Sequence, residues 1–366
     1  MEMIMLIILS LLIPAICGEF IARGANLRHQ SPGETLCSQL IEPAGYPCTE
    51  HTIQTKDGYL LALQRVSSRN GNIRLQRGPP VLLQHGLFMA GDAWFLDSPE
   101  QSLGYILADE GFDIWVGNVR GTFWSYGHVS LSDKDKEFWD WSWQELALFD
   151  LSEMIQHIYS TANSKVFVVG HSQGTLMSLA ALTQPNIVEM VEAAALLCPI
   201  SYLEHISAPF VLRMVGLHLD QMVLAMGIHQ LNFRSKVLIN LLDSMCDGLI
   251  ECDDLLTSIT VIRQGTFSQY DYGILKNLKL YGQVKPPAFD LSLIPKSLPL
   301  WMGYGGYDAL ADVTDVEHTL KELQSKPELL YLENYGHLDF LISVQGKKDV
   351  FKHMIRFFRS LGKSSS

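Results

Sequence analysis

Apolar and polar positions change their spacing along the chain in a way that separates three kinds of element. Residues 53–66 alternate around Lys56-Asp57-Gly58, and the Asp-Gly pair signals a hairpin turn between antiparallel strands. Further on, short apolar runs at 81–84, 112–116, 166–169, 193–198, 298–304 and 329–332 are separated by helical patterns. Runs that stay apolar rather than alternate argue for strands buried on both faces, hence a mostly parallel sheet with helices on each side. The spacing predicts a helix over 175–182, stopped by Pro185, and a last helix over 348–361. Between Pro199 and Pro295 the strand runs stop and helical spacing takes over, with Met214, Met222, Met226 and Met245. That stretch reads as a helical cap inserted into an α/β core.

The N-terminus needs a separate explanation. Residues 3–16 are almost wholly apolar but fall short of the roughly 20 needed to span a bilayer. With Ala15, Cys17 and Gly18 offering a small-residue cleavage site, residues 1–18 read as a secretory signal, although Glu2 stands where a basic residue is usual. The expected organisation is therefore a signal peptide (1–18), a core (19–198), a cap (199–295) and the rest of the core (296–366). No later segment is apolar for long enough to cross a membrane, because Arg213, His218 and Asp220 interrupt 209–231.

Composition narrows the functions. The chain has 366 residues, 48% hydrophobic, with a formal charge of −12, so it should bury a large core and makes a poor partner for nucleic acid. A secretory route permits disulfides. Of the five cysteines beyond the leader, Cys37 with Cys48 and Cys246 with Cys252 are the expected local pairs, leaving Cys198 as a buried thiol at the end of an apolar run. Their spacing carries no zinc pattern, so no metal or cofactor is expected.

The chemistry centres on Gly170-His171-Ser172-Gln173-Gly174, which directly follows one strand and opens a helix. This is the nucleophile elbow of the α/β-hydrolase fold, in which glycines permit a tight turn that lifts the serine oxygen clear of the backbone. A serine hydroxyl is a weak nucleophile and needs a histidine base held in the right tautomer by a carboxylate. In this fold the order is Ser, acid, His. His337 lies on a loop after the 329–332 strand, whereas His318 and His353 fall inside helical patterns. Asp308 comes first after the 298–304 strand, ahead of Asp312, Asp315 and Asp339. The oxyanion donors expected are the backbone N–H groups of Gln173 and Leu87, the latter in the loop after the 81–84 strand, where His85 would brace the turn.

With these residues placed, the chain resembles the acid lipase family, plant triacylglycerol lipases most closely. The resemblance rests on Gln84-His-Gly-Leu-Phe88, Ser98-Pro-Glu-Gln-Ser-Leu103, Gly117-Asn-Val-Arg-Gly121, Phe138-Trp-Asp-Trp-Ser142, the elbow, Gly305-Gly-Tyr-Asp308 with Leu310-Ala-Asp312, and Tyr335-Gly-His337. It implies an enzyme that hydrolyses neutral lipid esters, with a lipid–water interface as an expected setting, and with Ser172, Asp308 and His337 as triad and Leu87 and Gln173 as oxyanion pair; the signal peptide makes the expected location secreted or lumenal. The interval from Ser172 to Asp308 is a few dozen residues shorter than the family pattern, with the shortfall near 259–263, so a shortened cap is expected. An esterase or acyltransferase on other acyl groups, or a lipid-binding protein without turnover, are the competing expectations.

Overall fold

The computed structural model describes residues 34–71, 78–208 and 267–361. The expected leader (1–18), most of the cap with its methionines, and Cys246 and Cys252 lie outside the described residues.

The chain enters the fold through a disulfide between Cys37 and Cys48, the expected pair. It then forms a hairpin of β1 (Cys48–Gln54) and β2 (Tyr59–Val66), whose turn places Gly58 at φ 99°, a conformation costly for any residue with a Cβ. β1 starts at Cys48, earlier than the apolar alternation, because Thr49, Glu50 and His51 pair through their backbones while their side chains carry no apolar signal.

Seven more strands follow. They are β3 (Pro80–Gln84), β4 (Asp113–Gly117), the short β5 (Gly127–His128), β6 (Val166–His171), β7 (Val191–Leu197), β8 (Leu300–Gly305) and β9 (Glu328–Leu332). The spatial order is β1-β2-β4-β3-β6-β7-β8-β9, with β5 beside β2. From β4 to β9 every neighbouring pair is parallel, while β2 meets β1, β4 and β5 antiparallel. Every residue of β3, β4, β6 and β8 is buried, which requires cover on both faces. β9, at the edge, leaves Leu329 and Tyr331 exposed. The elbow helix runs Gln173–Ala181, and the C-terminal helix Lys352–Leu361 buries Met354, Ile355, Phe357 and Phe358 against the sheet side of the core.

Where the described chain resumes at Phe267 it docks by aromatic contact. Phe267 and Phe289 pack on Trp143, and Gln144 Oε1 accepts from the Tyr270 N–H at 2.9 Å and the Tyr281 hydroxyl at 3.2 Å. The helix Ile274–Tyr281 turns its polar side inward. Asn277 is buried and donates to Asp271 Oδ1 and the Val284 carbonyl, whereas Ile274, Leu275 and Leu278 face outward.

Candidate active site

The carboxyl ends of β3, β6, β7 and β8, with the loop after β9, gather most of the residues singled out by sequence. β6 ends at His171, and Ser172 then takes φ 53° and ψ −118°, outside the regions that residues with a Cβ normally occupy. The surroundings over-determine this turn. The Ser172 N–H donates to the Leu197 carbonyl at 3.1 Å, and its own carbonyl accepts from the Thr175 hydroxyl at 2.6 Å and the Thr175 N–H at 2.8 Å. The flanking glycines are required by space. A Cβ on Gly170 would lie 2.7 Å from the Gly174 carbonyl oxygen, and one on Gly174 would lie 2.4 Å from that of Gln84.

The loop after β3 approaches the elbow just as closely, since a Cβ on Gly86 would come within 3.0 Å of the Ser172 Cβ. His85 holds this loop. Its Nδ1–H donates to the Gly86 carbonyl at 2.6 Å and its Nε2 accepts the Val119 N–H at 3.3 Å. Burial pushes its imidazole down to about 4, so it braces the turn as a neutral group. Leu87 follows, and Gln173 is the first residue of the elbow helix. Among the described residues neither backbone N–H donates a hydrogen bond, and the helix N-terminus adds a partial positive charge at Gln173.

Asp308 and His337 meet directly. The His337 Nδ1–H donates to the Asp308 carboxylate, 2.9 Å from Oδ2 and 3.0 Å from Oδ1, and both residues are buried. Asp308 Oδ1 also accepts the N–H groups of Leu310 and Ala311, at 2.9 and 2.8 Å. Burial pushes this carboxyl up, but the imidazole and these donors outweigh it and hold it down at about 2. The two loops are tied to one another: the Tyr307 N–H donates to the Tyr335 carbonyl, and Gly305 lies so close to that carbonyl that a Cβ would sit 2.0 Å from it.

The competing carboxylates are engaged elsewhere. Asp312 caps the helix Val313–Glu322 through the Thr314 N–H, Asp315 pairs with His205 at 2.7 Å, and Asp339 accepts the Gly336 N–H. His318 stacks on Tyr202 and pairs with Glu322 along the same helix.

Two features were not read from sequence. The first lies behind His337, whose backbone carbonyl accepts the Nε2–H of His171 at 3.1 Å and the thiol of Cys198 at 3.3 Å. Nothing local signals this, since 166 and 139 positions separate the partners. His171, Cys198 and His337 each bring a ligand-type atom within 4.8 Å of the others, but two of these side chains already share that carbonyl as acceptor. The second is the set of contacts made by the Gly117–Gly121 motif, which begins at the last residue of β4. There Arg120, fully buried, binds Asp150 through Nη2 at 2.6 Å and Nε at 2.8 Å, and Asp57 through Nη1 at 2.5 Å. Asn118 joins strands and loop by donating to Gln64 Oε1 and accepting the Gly91 N–H.

A mostly parallel sheet with a strained serine after β6 and a buried Asp–His pair beyond β8 and β9 defines an α/β-hydrolase. Comparison with known proteins agrees. Residues 79–342 match the family described as alpha/beta hydrolase fold, and residues 37–98 match a partial alpha/beta-hydrolase lipase region. The chain is 64% identical over 374 residues to triacylglycerol lipase 1 of Arabidopsis thaliana, covering 93% of this chain and 95% of the relative. It is 28% identical over 365 residues to gastric triacylglycerol lipase of Rattus norvegicus, covering 87% and 90%. Among solved structures, a DcsB complex with its substrate analogue shares the fold with a TM-score of 0.53 at 16% identity, over 86% of this chain and 99% of that one. The chain belongs to the acid-lipase-like line of the α/β-hydrolase fold family.

Proposed function

We propose that this protein is a secreted or lumenal triacylglycerol lipase that works through an acyl-enzyme on Ser172. The observation that carries the reading is the buried Asp308–His337 pair, with its carboxylate at about 2 and the imidazole Nδ1 committed to it, in a chain 64% identical to a triacylglycerol lipase.

With Nδ1 protonated and bound to Asp308, the neutral imidazole has Nε2 as its basic atom. His337 takes the Ser172 proton through Nε2 while the serine oxygen attacks the ester carbonyl. The oxyanion that forms is met by the Leu87 and Gln173 N–H groups, each worth roughly 3 kcal/mol in the transition state. Collapse of this intermediate breaks the ester bond, and the leaving alcohol takes the proton from His337. Water then loses a proton to the same Nε2, attacks the acyl group, and the fatty acid departs as the proton returns to Ser172. Asp308 stays ionised throughout and stabilises the imidazolium of each half-reaction.

The test compares wild type with Ser172→Ala on long-chain triacylglycerol and on a short-chain soluble ester, with and without an acceptor alcohol. The expected result is at least a roughly thousandfold loss of turnover on both substrates in a variant that retains its fold. Stoichiometric labelling of wild type by a fluorophosphonate, mapped to Ser172, supports the acyl-enzyme. Wild-type turnover by Ser172→Ala would overturn the assignment, and acyl transfer to the alcohol in place of fatty acid release would overturn the hydrolase reading.

A further inference from the structure

The carbonyl of His337 is the meeting point of two donors from different strands. His171 is the last residue of β6, directly before the nucleophile, and Cys198 is the first residue after β7. The His171 Nε2–H and the Cys198 thiol reach the same oxygen, at 3.1 and 3.3 Å, and the rings of His171 and His337 lie 4.9 Å apart. All three residues are buried.

The surroundings set the direction of this contact. A carbonyl oxygen only accepts, so His171 must carry its proton on Nε2. Burial, together with the neighbouring His337, pushes the His171 imidazole down to about 3, so it stays neutral while His337 cycles through its charged form. On its other edge His171 meets the loop after β3, since a Cβ on Gly86 would lie 3.1 Å from Nδ1. Cys198 is fixed as well. Its N–H donates to the Gly303 carbonyl at 2.8 Å, and it takes φ 52°, a left-handed conformation uncommon for a residue with a Cβ.

We propose that His171 and Cys198 are positioning residues that clamp the His337 backbone, so that the strand bearing the nucleophile also sets where the base stands. This rests on the reading of Ser172 and His337 as nucleophile and base. The Asp308 contact fixes the tautomer and tilt of the imidazole, whereas the clamp fixes the position of the loop that carries it. A base displaced by about 1 Å from its reactive position loses on the order of a hundredfold in rate, and substrate binding need not change. The effect of losing the clamp therefore falls on kcat.

The experiment measures kcat and KM on a soluble short-chain ester, with thermal unfolding alongside, for His171→Phe, His171→Gln, Cys198→Ala and Cys198→Ser. Phenylalanine keeps a ring and removes the donor, whereas glutamine and serine each keep one. The expected result is a fall in kcat of about 10- to 100-fold for His171→Phe and about 3- to 10-fold for Cys198→Ala, with KM within twofold of wild type. His171→Gln and Cys198→Ser should each recover most of the loss. If His171→Phe does not fold, the Cys198 pair carries the test. Equal damage in the donor-keeping and donor-lacking variants, or a loss confined to KM, overturns the clamp. Ser172→Ala measured in parallel separates the two claims: if it is inactive while His171→Phe and Cys198→Ala turn over at wild-type kcat, the clamp alone fails, and if it is active the proposed function fails.

Discussion

Two of the buried aspartates, Asp150 and Asp308, face nitrogen groups in different regions, and the partners make them different devices. Beside β4, Asp150 accepts from Arg120 three times, through the backbone N–H and two guanidinium nitrogens, with Asp57 on the far side and the Tyr59 ring 3.9 Å from the guanidinium carbon. Beyond β8, Asp308 accepts from the Nδ1–H of His337 and two backbone N–H groups. Guanidinium keeps its charge at any accessible pH and cannot pass a proton on. Imidazole sits near neutrality in its reactions, so a carboxylate behind it raises its readiness to accept a proton without consuming it. The same burial thus makes a fixed joint in one place and, in the proposed mechanism, a proton-transfer site in the other.

That contrast can be broken from either side. The largest effect should come from Asp308→Asn. It leaves a side chain of nearly the same shape but favours the wrong tautomer of His337, so kcat should fall about 10⁴-fold with the circular dichroism spectrum unchanged. Retained turnover would mean that the pair beyond β8 is a joint like the other. Next comes Arg120→Met, which strands Asp150 without its cation and should cost about 3–5 kcal/mol in urea unfolding, while molecules that stay folded keep their kcat. A selective loss of kcat without loss of stability would erase the distinction.

A smaller effect sharpens it. The Asp308 carboxyl sits at about 2 when folded against an ordinary value of 3.8, so its contribution to stability is complete above pH of about 4 and disappears as pH falls toward 2. The gap corresponds to about 2 kcal/mol. The unfolding free energy of wild type should therefore fall more steeply over this range than that of Asp308→Asn, and parallel curves would show that the carboxylate is not held ionised by its neighbours.

Much of this was legible in the sequence, for physical reasons specific to each element. Strands buried on both faces write themselves as unbroken apolar runs, which is why β3, β4 and β6–β8 stand out, whereas the run of β9 belongs to an exposed edge. The elbow announces itself because two glycines are demanded by contacts with the carbonyls of Gly174 and Gln84. Asp308 and His337 follow from chain order and from lying just past strand ends. The Arg120–Asp150 joint did not show, because its partners are 30 positions apart and obey no local period. The polar underside of Ile274–Tyr281 was hidden too. An apolar stripe at helical spacing suggests an inward face, but Asn277, with two donated bonds, wins the interior.

The backbone at Ser172 has a practical consequence for handling the protein. Its φ of 53° and ψ of −118° are held by the neighbouring strands, and such a conformation costs a residue with a Cβ on the order of 1–3 kcal/mol. Glycine would relieve most of that while giving back some freedom to the unfolded chain. Ser172→Gly should therefore be inactive yet more stable to unfolding than wild type by about 1 kcal/mol, read by calorimetry, whereas Ser172→Ala should not. A dead variant sturdier than its parent would be the natural vehicle for trapping an uncleaved ester in a crystal.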